Sequence, residues 1–381
     1  MTSSIDIERL LAPRVLEIET SGIRRAWALA ANCVDPINLS IGQPDFPVPD
    51  ELKAAAIAAI RNDHNGYTQT NGDAELLASI EKKITKDVGW SFEEGSGLSA
   101  MVTSGTAGAL TLACLAILGP GDEIIIPDPY FVIYPTLARI AEGKAVLCDT
   151  YPDFRMTADR IEPLITLKTK AVLLNSPGNP TGAVLLSEEV QAVAKLCRER
   201  GILLITDEIY DEFIFPPTVH ASPASYSKDV LVIRGYSKTH GCTGWRLGYA
   251  AGPSRLIDEM SKLKQQTFVC APSALQKAVV DAHEIDLTPM LNKFTERRNM
   301  VVDYLGDVTE LTKPDGSFFA FPRVPAHLGL SGSEFIAKAI EKDVLVIQGS
   351  VFSARDTHFR ISFAAPDDQL EKGLSILRSL L

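Results

Sequence analysis

The sequence predicts an α/β fold with a largely parallel sheet and helices on both of its faces. Two observations carry this expectation. Short apolar runs at 123–126, 145–148, 171–174, 202–206 and 231–234 alternate with helical patterns. The residues just after the later runs are unusually polar, and ligand crevices of such sheets lie beyond the carboxyl ends of the strands. With 381 residues, 46 % hydrophobic and 22 % charged, the chain has the material for a large core.

Charge and leader signals narrow the function classes. The chain carries 37 basic against 48 acidic residues, a net −11, without a Lys/Arg-rich run, so neither nucleic acid nor an anionic membrane is an expected partner. Any bound anion must be held locally. The start, Met1-Thr2-Ser3-Ser4-Ile5-Asp6, has no basic or apolar leader, and no apolar stretch reaches the length of about 18 residues that spans a bilayer. A cytoplasmic protein is expected. The six cysteines form no C-x-x-C pair and have no histidine at ligand spacing, so no metal is expected. They are read as small packing residues, Cys242 included.

In chain order, a helical pattern at 23–31 ends at Asp35-Pro36, and an apolar run from Ile37 breaks at Gly42-Gln43-Pro44, a crossing point between two structural units. Gly42 lets the backbone approach a ligand closely. Residues 50–61 are alanine-rich and helical, 66–72 form a polar loop with the phenol of Tyr67, and 73–88 are helical again. After Met101-Val102, the small residues Thr103-Ser104-Gly105-Thr106-Ala107-Gly108 lead into an apolar helix at 110–118. Small residues opening a helix expose free N–H groups to a phosphate, with the positive end of the helix dipole behind them. The P-loop lysine and the dinucleotide glycine fingerprint are both missing. A further helix starts after Ser187, with Glu188 and Glu189 in its first turn, and ends near Gly201.

Three successive strand ends then offer an amide, a carboxylate with a phenol, and a lysine. They are Asn175-Ser176-Pro177-Gly178-Asn179-Pro180-Thr181-Gly182, Asp207-Glu208-Ile209-Tyr210, and the stretch from Ser237-Lys238 to Gly244-Trp245-Arg246. Each has a plain structural alternative: a turn, a helix cap, solvated surface charge. Taken together they suit one ligand, because a lysine can form an imine with an aldehyde and an arginine holds a phosphate at any working pH.

These segments, with Phe359-Arg360-Ile361-Ser362-Phe363-Ala364, occur in an order and spacing that resemble the class I/II aminotransferases, pyridoxal-phosphate enzymes of fold type I in the aspartate aminotransferase-like superfamily. The resemblance covers nearly the whole chain. It implies a large cofactor domain at 45–280 and a small α/β domain made of 1–44 and 281–381. It implies that Lys238 binds pyridoxal 5'-phosphate as an imine and then moves protons. Asp207 would face the pyridine nitrogen, Asn179 and Tyr210 would bond the phenolic oxygen, and Phe131 would stack on the ring, with Tyr130 second to it. Arg246, Ser237 and the amides of Gly105, Thr106 and Ala107 would hold the phosphate. Tyr67 would reach the phosphate of the other subunit, which implies a homodimer. Arg360, completed by Gly42 and Asn179, would clamp the substrate α-carboxylate, and closure of the small domain would exclude water.

The substrate is less legible. Aspartate-specific relatives often place a lysine where this chain has Ala107, and others use an arginine from a region that here has none between Arg255 and Arg297. Arg24 and Arg25 could still supply a distal charge. The expectation is ping-pong transfer between an L-amino acid and a 2-oxoacid, with glutamate or 2-oxoglutarate on one side and an apolar, aromatic or alanine-like amino acid on the other. The alternatives are an aspartate aminotransferase, a pyridoxal-phosphate C–S lyase or decarboxylase, and a non-catalytic cofactor-binding sensor. Residues 1–35 are too short and too weakly basic for the DNA-binding domain of such a sensor. Ser225-Tyr226-Ser227-Lys228 fits S-x-x-K, but without companion motifs or a G-x-S-x-G elbow a serine hydrolase has little support.

Overall fold

The computed structural model describes residues 5–18 and 35–381; the helical pattern at 23–31, Arg24, Arg25 and Cys33 lie outside the described residues. After β1 (Ile37–Asn38) come seven strands of one sheet: β2 (Leu98–Thr103), β3 (Glu123–Asp128), β4 (Lys144–Asp149), β5 (Thr169–Asn175), β6 (Leu203–Asp207), β7 (Val230–Gly235) and β8 (Gly248–Pro253). Their order is β2-β8-β7-β6-β5-β3-β4. Neighbours are parallel except that β8 runs against both β2 and β7. The five apolar runs are β3 to β7. Ile125, Val172, Leu204 and Val232 enter the core on one face, and Ile126, Leu173, Ile205 and Ile233 the core on the other, as the two-residue period of a strand requires.

Strand β8 has no strand-like composition. Its sequence, Gly-Tyr-Ala-Ala-Gly-Pro, is small because backbones crowd it. A Cβ on Gly248 would stand 2.8 Å from the carbonyl carbon of Gly105, and one on Gly252 would stand 2.8 Å from the Val230 oxygen.

The helix Asp50–Arg61 lies where the alanine-rich segment places it. The next, Ala74–Val88, is capped by the Asp73 carboxylate, which accepts from the Glu75 and Leu76 amides. The helix expected at 110–118 instead spans Gly105–Ile117. The small residues before the apolar pattern already carry the helical turn, and Gly105, Gly108 and Ala109 among them are buried. Ser187–Arg200 ends at Gly201 in the left-handed conformation.

A second layer is built from the C-terminal third. It contains β9 (Phe319–Ala320), β10 (Val344–Leu345), β11 (Ile347–Gln348) and β12 (Phe359–Ser362), with the helices Thr288–Leu305, Gly332–Ile340 and Asp367–Leu380. The single strand expected at 344–347 is divided between two sheets, because β10 pairs in parallel with β1 while β11 pairs antiparallel with β12. The N-terminal β1 therefore belongs to this layer. Its core holds Phe294, Phe318, Phe319, Phe335 and Phe359, and it includes Tyr210 and Phe213 from the segment after β6. Among the described residues no helix is long and apolar enough to cross a membrane.

Candidate active site

Beyond the carboxyl ends of β5, β6 and β7, where the two layers meet, lies a cavity of about 240 Å³. Strand register builds it: Asn175 pairs with Asp207, and Asp207 with Ile233, so the polar loops that follow open side by side.

Lys238 sits on a short helix, Tyr236–Thr239, directly after β7, and its Nζ donates to the Gly42 carbonyl at 2.5 Å. Burial draws its pKa down from 10.5 to about 8, and the nearby Arg360 and Arg246 cations add to this against the pull of Asp207. Free amine is therefore available close to neutral pH, the condition for attack on an aldehyde.

Asp207 is only 2 % exposed. Its carboxylate accepts from the Tyr134 hydroxyl at 2.8 Å and from the Ile209 amide at 3.3 Å. Burial raises its pKa to about 6 despite these two bonds. A cation facing it would bring it back to full ionisation. Its neighbour Glu208 turns to the far side of the sheet and pairs with the buried Arg234 at 2.8 Å. Tyr210 is buried against Phe318 and Phe319, and burial pushes its phenol well up, so it stands ready as a protonated donor. Asn179 lies beside it. The Asn179 loop is tied down by Asn175, whose Oδ1 accepts from the Asn179 amide at 2.9 Å while its Nδ2 donates to the Asp207 carbonyl at 3.0 Å.

The anion end is formed by the first turn of Gly105–Ile117, with Thr106 and Ala107 in the cavity wall together with Ser237, Thr243 and Arg246. Gly105 has φ +69°, and a Cβ there would stand 2.8 Å from Nη2 of Arg246. Arg246 takes a left-handed backbone conformation, φ 55°, and donates from Nη1 to the Thr243 carbonyl at 3.0 Å. No carboxylate pairs with it among the described residues, so its charge is left for an anion at the helix start.

Arg360, on β12, is 1 % exposed. Nη1 donates to Asn179 Oδ1 at 3.1 Å and Nη2 to the Ser40 carbonyl at 2.8 Å, while the buried Nε has no hydrogen-bond partner among the described residues. It too lacks an acid partner among the described residues, and burial lowers its pKa to about 10. The backbone on this guanidinium is thus that of Ser40, whereas the Gly42 carbonyl lies on Lys238.

Gly42, Phe131, Asn179, Asp207, Tyr210, Ser237, Lys238 and both arginines line one cavity. Gly105 stands behind Arg246. Tyr67 does not join them within one chain, being 86 % exposed on the outer surface. Sequence reasoning missed Tyr134, Asn175, Ile209 and Thr243 as lining residues. Asn175 could have been found from strand register, being the last residue of β5 opposite Asp207. Tyr134 carried no local signal, since its hydroxyl matters only through a partner far away in the chain. Cys242 is buried and its thiol is pushed up to about 12 by burial, which agrees with a packing role. No group of three or more potential metal ligands occurs among the described residues.

The donor set fits a phosphorylated pyridine aldehyde: an activated amine, a buried carboxylate for a ring nitrogen, a phenol and an amide for a ring oxygen, and an acid-free arginine at a helix start. A second acid-free arginine remains for a carboxylate.

The family model described as aminotransferase class I and II matches residues 34–377. The chain is 35 % identical to the aspartate aminotransferase of Geobacillus stearothermophilus over 95 % of this chain and 96 % of the relative. It is 31 % identical to aromatic-amino-acid aminotransferase 2 of Thermococcus litoralis over 97 % of this chain and 98 % of the relative. The solved structure of the Thermus thermophilus aspartate aminotransferase with maleate superposes with a TM-score of 0.91 at 30 % identity, covering 97 % of this chain and 99 % of the other.

Proposed function

The chain belongs to the class I and II aminotransferases, a family whose members use pyridoxal phosphate, and from that premise we propose how its own residues transfer an amino group between an L-amino acid and a 2-oxoacid. When bound, pyridoxal phosphate supplies an aldehyde that captures the amine and a ring that accepts the electron pair left at the α-carbon. Arg246, Ser237 and the amides of Gly105, Thr106 and Ala107 hold the phosphate. Asp207 keeps the ring nitrogen protonated, Tyr210 and Asn179 bond the ring oxygen, and Phe131 covers the ring face. Arg360, with Asn179 and Gly42, holds the substrate α-carboxylate. Lys238 Nζ would take the substrate α-proton as a base and, once protonated, give a proton back as an acid. Tyr67 reaches the phosphate of a second copy in a homodimer, which accounts for so exposed a tyrosine on a loop fastened by Gln276. The units 45–280 and 1–44 with 281–381 serve as cofactor and closing domains.

The observation that carries this proposal is a buried lysine that shares one cavity with two guanidinium groups which, among the described residues, pair with no carboxylate. Replacing Lys238 by Ala should remove the visible absorbance of bound cofactor and lower turnover by about a thousandfold or more. Transamination retained in that variant would overturn the assignment.

For the substrate, the cationic side chains among the described lining residues are Lys238, Arg246 and Arg360, each with a role already. Ala107 offers nothing to a distal carboxylate. This favours an apolar, aromatic or alanine-like amino acid exchanged with glutamate or 2-oxoglutarate. The names of the Geobacillus and Thermus relatives support a second reading, aspartate as donor. A C–S lyase would release pyruvate and ammonia with no acceptor present.

A further inference from the structure

With Arg360 taken as the carboxylate clamp, we infer that Phe352 is a positioning residue for it, aiming the guanidinium without neutralising it. The guanidinium carbon of Arg360 lies 4.8 Å from the ring centroid of Phe352 and 4.3 Å from that of Phe319. An acidic neighbour would orient the group as well, but it would compete with the incoming carboxylate. An aromatic face attracts the cation through its quadrupole and leaves every N–H free to donate in the guanidinium plane. The pocket uses the second device: among the described residues the hydrogen bonds of Arg360 go to an amide and a carbonyl, and its Nε has no partner.

Phe352 is itself held from two sides. It is fully buried in a small core with Phe321 and Ile347, against which Val132, Tyr151 and Phe154 pack. Its carbonyl accepts from the Tyr130 amide at 2.8 Å, which ties it to the turn that carries Phe131 in the cavity wall. Three residues on, Arg355 pairs with Asp149 at the end of β4 and lies 4.3 Å over the Tyr151 ring. The ion pair is half-exposed and contributes little alone. The backbone bond and the apolar cluster fix the segment. Phe352 thus links the substrate clamp on the C-terminal layer to the cofactor side of the cavity.

Replacing Phe352 by Leu keeps an apolar side chain and removes one of the two π faces, leaving that of Phe319. The test uses the cofactor-loaded enzyme and two donors, an amino acid that it converts and the corresponding amine without the carboxylate. The expected result is a KM for the amino acid raised by about tenfold, kcat within about twofold, and the slow reaction of the amine changed by less than about twofold. Equal losses for amino acid and amine, or an unchanged KM, would overturn the inference. Phe352→Met gives the same comparison if the leucine variant folds poorly. Arg360→Ala separates the two levels of the claim. If it leaves the KM unchanged, Arg360 is not the clamp; if it raises the KM while both Phe352 variants do not, the clamp stands and the positioning role fails.

Discussion

Lys238 differs from a surface lysine in the direction of its titration. Burial, reinforced by the Arg360 and Arg246 cations, lowers its pKa from 10.5 to about 8. Between those two values the unfolded chain binds a proton that the folded one does not, so this residue's contribution to stability rises with pH through that window. Below about 8 the cost is fully present, which fits a group kept for chemistry and not for stability. Acylation of Lys238 in cofactor-free protein, followed by peptide mass spectrometry across pH, should show a midpoint near 8. A midpoint near 10.5 would show that the amine is not activated by its surroundings. The residue was legible only in company: alone its turn reads as solvated surface charge, and it was the set of three polar strand ends and the family resemblance that singled it out. Its neighbour in function, Tyr134, was not legible. Its hydroxyl bonds a carboxylate 73 residues away, and nothing local to 131–134 announces that pairing.

At the level of elements, the phosphate end depends on how a helix starts. Gly105 opens Gly105–Ile117 at φ +69°, where Arg246 packs against the bare Cα. An alanine there meets a flexible guanidinium rather than backbone, so the protein should fold with a loss of only about 1–2 kcal/mol from the left-handed backbone. The guanidinium must move, however, and the Kd for pyridoxal phosphate should rise by about tenfold, the loss of one charge-assisted bond. An unchanged Kd would place the anion elsewhere. The strands β3, β5, β6 and β7 were legible from apolar runs because interior parallel strands are buried on both faces, whereas β4, at the sheet edge, buries only Cys148. Strand β8 was not legible, since close backbone contact selects glycine and alanine over strand formers there. The run at 344–347 showed burial but not that β10 and β11 serve different sheets, which depends on partners from β1 and β12.

Over the whole molecule, the site is a meeting of distant segments. Strand β1 joins the C-terminal layer through β10, and the Leu39 carbonyl accepts from the Ser362 amide at 2.8 Å. The few residues after β1 then place the Ser40 carbonyl on Arg360 and the Gly42 carbonyl on Lys238, linking substrate clamp and catalytic amine through one short stretch of backbone. Just beyond, both oxygens of Asp45 accept from Arg297 at 2.8 Å, anchoring the stretch to Thr288–Leu305. That convergence was visible in the sequence only through the resemblance to a family, because Arg360 has no local signal of its own. Substrate choice is decided at the same scale, by which charges the assembled cavity presents. The most direct test is a half-reaction screen in which the cofactor-loaded protein meets each of the twenty amino acids without an oxoacid while its visible absorbance is followed. Apolar, aromatic or alanine-like amino acids should convert fastest and stop after one turnover until 2-oxoglutarate is added. Aspartate converting far faster than all of them, or continuous release of pyruvate and ammonia, would contradict the account.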